Sequence, residues 1–337
     1  MRCTQKVLFS CGNPFKALFS EENNACISPQ LLSLLNNFET SLRVSITELV
    51  PKGDDKNDFL TVSWMIQAMH SLCETHQGIT TLMTTDLDLP VSDMEESLID
   101  MYVDMSSKLL ELCNAFTSEL YRLNHGNMLL KLAFGNPEVF SLSHIDRWRQ
   151  HMASKNPSIQ NCGEVLSSLV ESMNHHHHKK VLVRALYGVK VKTLYIFSVF
   201  DASFTHSSKN LLYLTIPEEM EEVPWGQAFM ELQNMINPEI KKTFLSDRFA
   251  VIRDLEAVES GVEKLYAAVQ EGWDPNLSVV EPLKQLVIEL SGRFDLVSKE
   301  TSCLLETMVS AREALCESLW TKIKSDDADD YVRIVCE

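Results

Sequence analysis

Val181 to Ile216 reads VLVRALYGVKVKTLYIFSVFDASFTHSSKNLLYLTI. It is the most apolar part of the chain, and it also carries an isolated block of positive charge. Between Glu171 and Asp201 there is no acidic residue, while Lys179, Lys180, Arg184, Lys190 and Lys192 supply five cations. The uncharged run from Thr193 to Phe200 spans eight residues, with Lys192 before it and Asp201 after it. A membrane-spanning helix needs roughly 20 apolar residues, so a span is excluded here. Val181 to Phe204 then has two readings, one helix or two strands. In a helix, Lys180, Arg184, Gly188 and Lys192 fall on one stripe, with Leu182, Leu186, Val189 and Ile196 on the opposite surface. A basic stripe beside an apolar one suits an interfacial helix on anionic lipid, or a face that meets a protein partner. It equally suits a core helix whose outer face pairs with Glu218 to Glu222, because amphipathicity is the normal state of a packed helix.

Outward from this stretch, both flanks carry helical periodicity. On the N-terminal side, Ser28-Pro29 starts a pattern at Leu31, Leu35, Phe38, Leu42, Ile46 and Leu49, with a cap-like serine and proline in the first turn. A polar loop after Pro51 leads to Asp58, a candidate cap for the pattern Phe59, Val62, Ile66, Met69, Cys73 and Met83. Ser92-Asp93-Met94-Glu95 is a capping box and predicts a long helix from Met94 to a stop near His125-Gly126. Further helices are predicted over 142–153 and 158–173, followed by the polyhistidine run His175 to His178, which reads as a solvated loop. On the C-terminal side a helix is predicted from Pro224 to Met235. Asn237-Pro238 begins another, ending at Gly272, and an apolar stripe continues from Leu283 to Ile323. The expected architecture is all-α, an elongated bundle of long antiparallel amphipathic helices. Residues 1–28 are expected to be a flexible segment, and 29–323 a single helical domain with sub-bundles 29–173 and 181–323 joined by the His-rich loop. Residues 324–337 are expected to form an acidic tail.

The 337 residues can bury a large core, and with 45% hydrophobic and 23% charged residues the composition is that of a folded globular protein. A formal net charge of -17 argues against binding nucleic acid through its phosphates. The nine cysteines are odd in number, scattered and without a CxxC pair. They read as reduced thiols of a cytosolic-type compartment. The first acidic residue is Glu21, which makes a plastid transit peptide the alternative to a cytoplasmic location or one peripheral to internal membranes.

His70, Cys73, Glu74 and His76 lie within one predicted helix and invite a metal or Cys-His reading. His70 and His76 are six residues apart and point in different directions, so the structural reading places Cys73 in the core with the histidines at its rim. HExxH, GxSxG, P-loop and GxGxxG patterns do not occur, and no catalytic residue, cofactor or metal site is expected.

Several long words of the chain resemble the plant BYPASS family. They are SWMIQAMHSLCETH (Ser63 to His76), LPVSD (Leu89 to Asp93), LLELCNAFTSELYRLN (Leu109 to Asn124), VLVRALYGVKVKT (Val181 to Thr193), SSKNLLYLT (Ser207 to Thr215), PWGQAFMELQN (Pro224 to Asn234) and LEAVESGVEKLYAAVQEG (Leu255 to Gly272). The resemblance implies a non-enzymatic regulator of plant development that restrains a root-derived mobile signal, carotenoid-derived, that arrests shoot growth. It implies action through protein partners, with exocyst-linked vesicle tethering at a membrane, or enzymatic or ligand-binding work in the signal's metabolism, as alternatives. It supplies no catalytic residues.

Overall fold

The computed structural model describes residues 29–51, 60–84, 93–135, 142–171, 181–205, 214–244, 252–271 and 277–335. The segment before Pro29, Asp58, Ser92, the polyhistidine run, Lys179 and Lys180 lie outside these. All the secondary structure in the described residues is helical: α1 Pro29–Thr47, α2 Val62–Thr84, α3 Asp93–Phe134, α4 Leu142–Ala153, α5 Pro157–Gln160, α6 Cys162–Glu171, α7 Val181–Thr205, α8 Glu218–Glu221, α9 Pro224–Phe244, α10 Arg253–Gln270 and α11 Leu277–Val335.

The deciding stretch forms one helix, α7, and from Ala185 to Ser203 every residue is buried. A helix buried all round belongs in the middle of a protein, and α7 packs against α1, α2, α3, α5, α6 and α9. The helical choice also resolves its polar groups. Thr193, Ser198 and Ser203 donate to the carbonyls of Val189, Leu194 and Val199 at 2.7, 2.6 and 2.6 Å, so their hydroxyls are satisfied within the helix. Phe200 stacks on Phe116 of α3 at 4.8 Å between ring centroids and meets Trp64 of α2 edge-on at 6.0 Å. Where α7 crosses α1 and α9, Gly188 lets the helices approach. A Cβ there would stand 2.7 Å from a Leu42 methyl and 3.2 Å from the Trp225 ring.

The two halves of the chain do not form separate sub-bundles. α11 lies along α2 and α3, α9 along α1, and one continuous hydrophobic cluster runs from Leu35 to Leu315. The physical reason is the placement of α7, which needs partners from the N-terminal half on most of its circumference.

Several boundaries differ from the periodicity. α3 continues past Gly126 to Phe134 because Leu130, Ala133 and Phe134 reach the core. Gly126 serves there as a point of close approach, its missing side chain leaving room for Met152 Sδ at 2.8 Å from a Cβ position. The expected helix after Pro157 is broken at Asn161 into α5 and α6, which turns both Ile159 and Cys162 inward. α9 runs through Pro238. Ile236 and Ile240, both fully buried, offset the lost backbone hydrogen bond by packing one turn apart. α11 stays helical through the acidic stretch after Ile323, since extending a formed helix costs little.

The N-terminus of α2 is closed from far away in sequence. The Val62 amide donates to Asp254 Oδ2 at 2.8 Å, Asp254 Oδ1 pairs with Arg293 at 2.6 Å, and the Arg253 amide donates to the Leu60 carbonyl at 3.2 Å. Leu60 holds a left-handed φ of 60°, and the burial of its side chain fixes it there.

Candidate functional site

Lys192 is 1% exposed in the middle of α7. Its ammonium donates to Ser45 Oγ of α1 and to Ser71 Oγ and Thr75 Oγ1 of α2, all at 2.7 Å, and lies 3.1 Å from the Ser71 carbonyl. The hydroxyls can accept because each is itself a donor elsewhere: Ser45 to the Leu42 carbonyl, Ser71 to the Ser45 carbonyl and Thr75 to the Ser71 carbonyl. The result is a cation held by neutral oxygens that ties three helices together at one point. Burial pulls its pKa down to about 7, against the weaker opposing attraction of Glu74 and Glu48.

Next to it, His76 of α2 is fully buried. Its Nδ1 lies 3.3 Å from the Tyr102 hydroxyl and its Nε2 3.3 Å from Thr193 Oγ1. Burial first, then repulsion by Lys192, lowers its pKa to about 3, so the imidazole is neutral. Thr193 donates to the Val189 carbonyl, which leaves its oxygen as an acceptor for an Nε2 proton. The expectation of rim histidines is thus corrected for His76, which lies inside the core.

The other members of the basic block go to different places. Arg184 forms a two-pronged pair with Glu39 of α1, Nε and Nη2 each 2.5 Å from a carboxylate oxygen, and Glu39 is 1% exposed. Lys190 is 4% exposed, its pKa pulled down to about 8 by burial and by Lys108, against the attraction of Asp104. Lys190 and Lys192 are therefore buried in the core, and the acidic partner of Arg184 is Glu39 in place of the expected Glu218 to Glu222. Lys192 and Arg184 can be packed inside because hydroxyls receive the head of the first and a carboxylate that of the second.

The opposite face of α2 meets α11. Cys73 Sγ is 3.1 Å from Cys303 Sγ and 3.1 Å from Thr307 Oγ1. One turn earlier, exposed His70 lies 3.5 Å from Glu74 and 3.2 Å from Glu300 of α11. Among the described residues no group of His, Cys, Asp and Glu has the geometry of a metal site. A cleft of about 300 Å³ between Leu214 and α9 is lined by Thr215, Gln233, Asn234, Asn237 and Lys241. Two of its polar groups serve the fold: Gln233 donates to the Leu214 carbonyl, and Asn237 accepts from the Tyr195 hydroxyl.

On the solvent side of α3, Tyr121, Met128 and Leu132 are 69, 59 and 70% exposed at positions i, i+7 and i+11, one apolar line along the helix. No helix among the described residues is long and apolar enough to cross a membrane. The sequence pattern does not reveal the clasp around Lys192. The available signal was the pair Ser71 and Thr75, two hydroxyls one turn apart on an otherwise apolar face of α2.

No family model matches the chain, and no solved structure matches it. It is 55% identical over 323 residues to Protein BPS1, chloroplastic, of Arabidopsis thaliana, covering 92% of this chain and 90% of that protein. It is 34% identical over 274 residues to UPF0496 protein 4 of Oryza sativa subsp. indica, and 33% identical to the subsp. japonica protein of the same name. Those matches cover 77% of this chain and 58% of each rice protein.

Proposed function

The chain belongs to the BYPASS family of plant developmental regulators, and we propose that it works without catalysis, through protein partners, to restrain a root-derived mobile signal that arrests shoot growth. The observation that carries this reading is the 55% identity to an Arabidopsis relative over nine-tenths of both chains. The site geometry supports a non-enzymatic role. A lysine with a lowered pKa is the usual sign of a nucleophile or base, but every hydrogen bond of the Lys192 ammonium goes to α1 and α2. A partner role is supported by the exposed line Tyr121, Met128 and Leu132, whose spacing suits an apolar-faced helix laid along α3.

The test is a graft. Roots lacking their own family member, and expressing this chain, are joined to wild-type shoots. Restored shoot growth is the expected result, and arrest despite accumulation of the protein would overturn the reading. Proximity labelling from the same roots, with the native chain and with Leu132→Asp, tests the partner surface. The labelled set should shrink in the variant, and identical sets would remove α3 from consideration. Turnover of a carotenoid-derived metabolite by the purified chain would replace the regulator with an enzyme.

A plastid location is the second reading, supported by the word chloroplastic in the name of the Arabidopsis relative and by the absence of acidic residues before Glu21. A fluorescent fusion at the C-terminus of the whole chain decides between plastid and cytoplasm. Diffuse cytoplasmic signal with an untrimmed N-terminus would reject the plastid.

A further inference from the structure

We propose that Cys73 and Cys303 are a reversible redox pair whose disulfide fastens α11 to α2. The two sulfurs, 230 positions apart in sequence, stand 3.1 Å apart, about 1 Å beyond the ~2.05 Å of a disulfide bond, a gap that small side-chain rotations close. The surroundings are asymmetric. Cys303 is exposed and Cys73 is 3% exposed, so an oxidant in solution meets Cys303 first. Thr307 donates its hydroxyl proton to the Cys303 carbonyl at 2.8 Å, which leaves its oxygen to receive the Cys73 S–H. That bond holds the buried sulfur against its neighbour. The other cysteines described lack this arrangement: Cys113 and Cys162 are both buried, and Cys316 is exposed and makes no described thiol contact.

The oxidant is a disulfide, either small or part of a dithiol–disulfide oxidoreductase. In the first step the Cys303 thiolate attacks one sulfur of that disulfide. A mixed disulfide forms and one thiolate leaves, taking up a proton. In the second step Cys73 gives up its proton and attacks Cys303 Sγ, forming the intramolecular bond and releasing the second thiol. Two protein thiols are oxidised and one external disulfide is reduced to two thiols. Burial raises the Cys73 thiol to about 12, with the Thr307 hydrogen bond working the other way. This fits Cys73 as the resolving sulfur and not the first to react.

The experiment uses the full chain equilibrated in mixtures of reduced and oxidised glutathione. Intact mass, a non-reducing digest and thermal melting are then measured. The expected product is lighter than the reduced chain by two hydrogens, with the Cys73 peptide joined to the Cys303 peptide and dithiothreitol reversing the link. Closing so long a loop should raise the melting midpoint by about 5 °C. Cys303→Ser, a change on the exposed side that leaves the core intact, should lose both the link and the rise. Glutathione retained on Cys303 with Cys73 still free would overturn the pair. So would a link between other cysteines, or a rise that persists in Cys303→Ser.

Discussion

Replacing Lys192 by Met removes a buried cation while keeping a side chain of similar length, and the structure sets both the sign and the pH window of the effect. In the unfolded chain the lysine titrates near its ordinary 10.5, and in the folded protein near 7. Between those values the unfolded state binds more protons, so stability rises with pH by up to about 1.4 kcal/mol per unit. Below pH 7 both states are charged, and the native state carries the full cost of the buried cation. Across pH 7 to 9 the wild type should therefore gain about 2 kcal/mol from this residue, and Lys192→Met should gain none of it. Truncation leaves three hydroxyls without a shared donor, but each keeps its own bond to a carbonyl, so the loss is modest beside the removed desolvation. Urea unfolding of both proteins at several pH values from 6 to 9 measures the difference directly. The variant should be relatively strongest at pH 6 and should lose that advantage as pH rises. Parallel curves over the window would refute the reasoning, because they would mean Lys192 titrates alike in both states. Titrations of Lys190, buried tyrosines and buried thiols occur in both proteins and cancel in the difference.

Arg184→Gln leaves Glu39 buried without its cation and should cost about 3 kcal/mol, read as a lower urea midpoint. Gly226→Ala would place a Cβ 2.0 Å from the Met220 carbonyl oxygen and should force α8 away from α9. Gly292→Ala meets nothing within 4 Å and should stabilise α11 by about 1 kcal/mol, so the two melting shifts have opposite signs. His76 titrates near 6.5 when unfolded and near 3 when folded, so its contribution is present above pH 6.5 and is lost as pH falls toward 3. Acid unfolding of His76→Phe should accordingly be shallower than that of the wild type between pH 6 and 4.

What the sequence made legible was local. Three- and four-residue spacing located α4 to the residue and α1 to within two, because each exposes one face and buries the other. It failed where pattern and environment part company. α7 is buried on all sides, so its apolar run has no period to separate helix from strand, and only its place between α1, α2, α3 and α9 resolves it. Arg184 and Lys192 read as one basic face because they share a stripe, yet their partners are Glu39, 145 positions away, and Ser45, 147 positions away. The same holds for the cap on α2, where the carboxylate comes from Asp254, 192 positions on. Helix breakers mislead for a related reason. Gly126 and Pro238 disrupt an isolated helix, but within α3 and α9 the burial of neighbouring side chains outweighs them.

The word SWMIQAMHSLCETH occupies α2, and its last turns face two ways. Ser71, Thr75 and His76 meet α7, while Cys73 meets α11. A proton-linked cluster and a thiol pair thus sit on opposite sides of one helix, and a chain of polar side chains runs between them. Glu74 attracts Lys192, His70 bridges Glu74 to Glu300, and Glu300 acts on Cys73. The weak steps are His70 and Glu74, 61 and 57% exposed, where solvent screens the interactions. Oxidation of the thiol pair and Lys192→Met should therefore be additive in unfolding free energy to within about 0.5 kcal/mol. The double comparison, reduced and oxidised, native and variant, measures that coupling at pH 7. A larger coupling would mean that α2 shifts as a rigid body when α11 is fastened to it, and that the core cation senses the thiol state through geometry and not through charge.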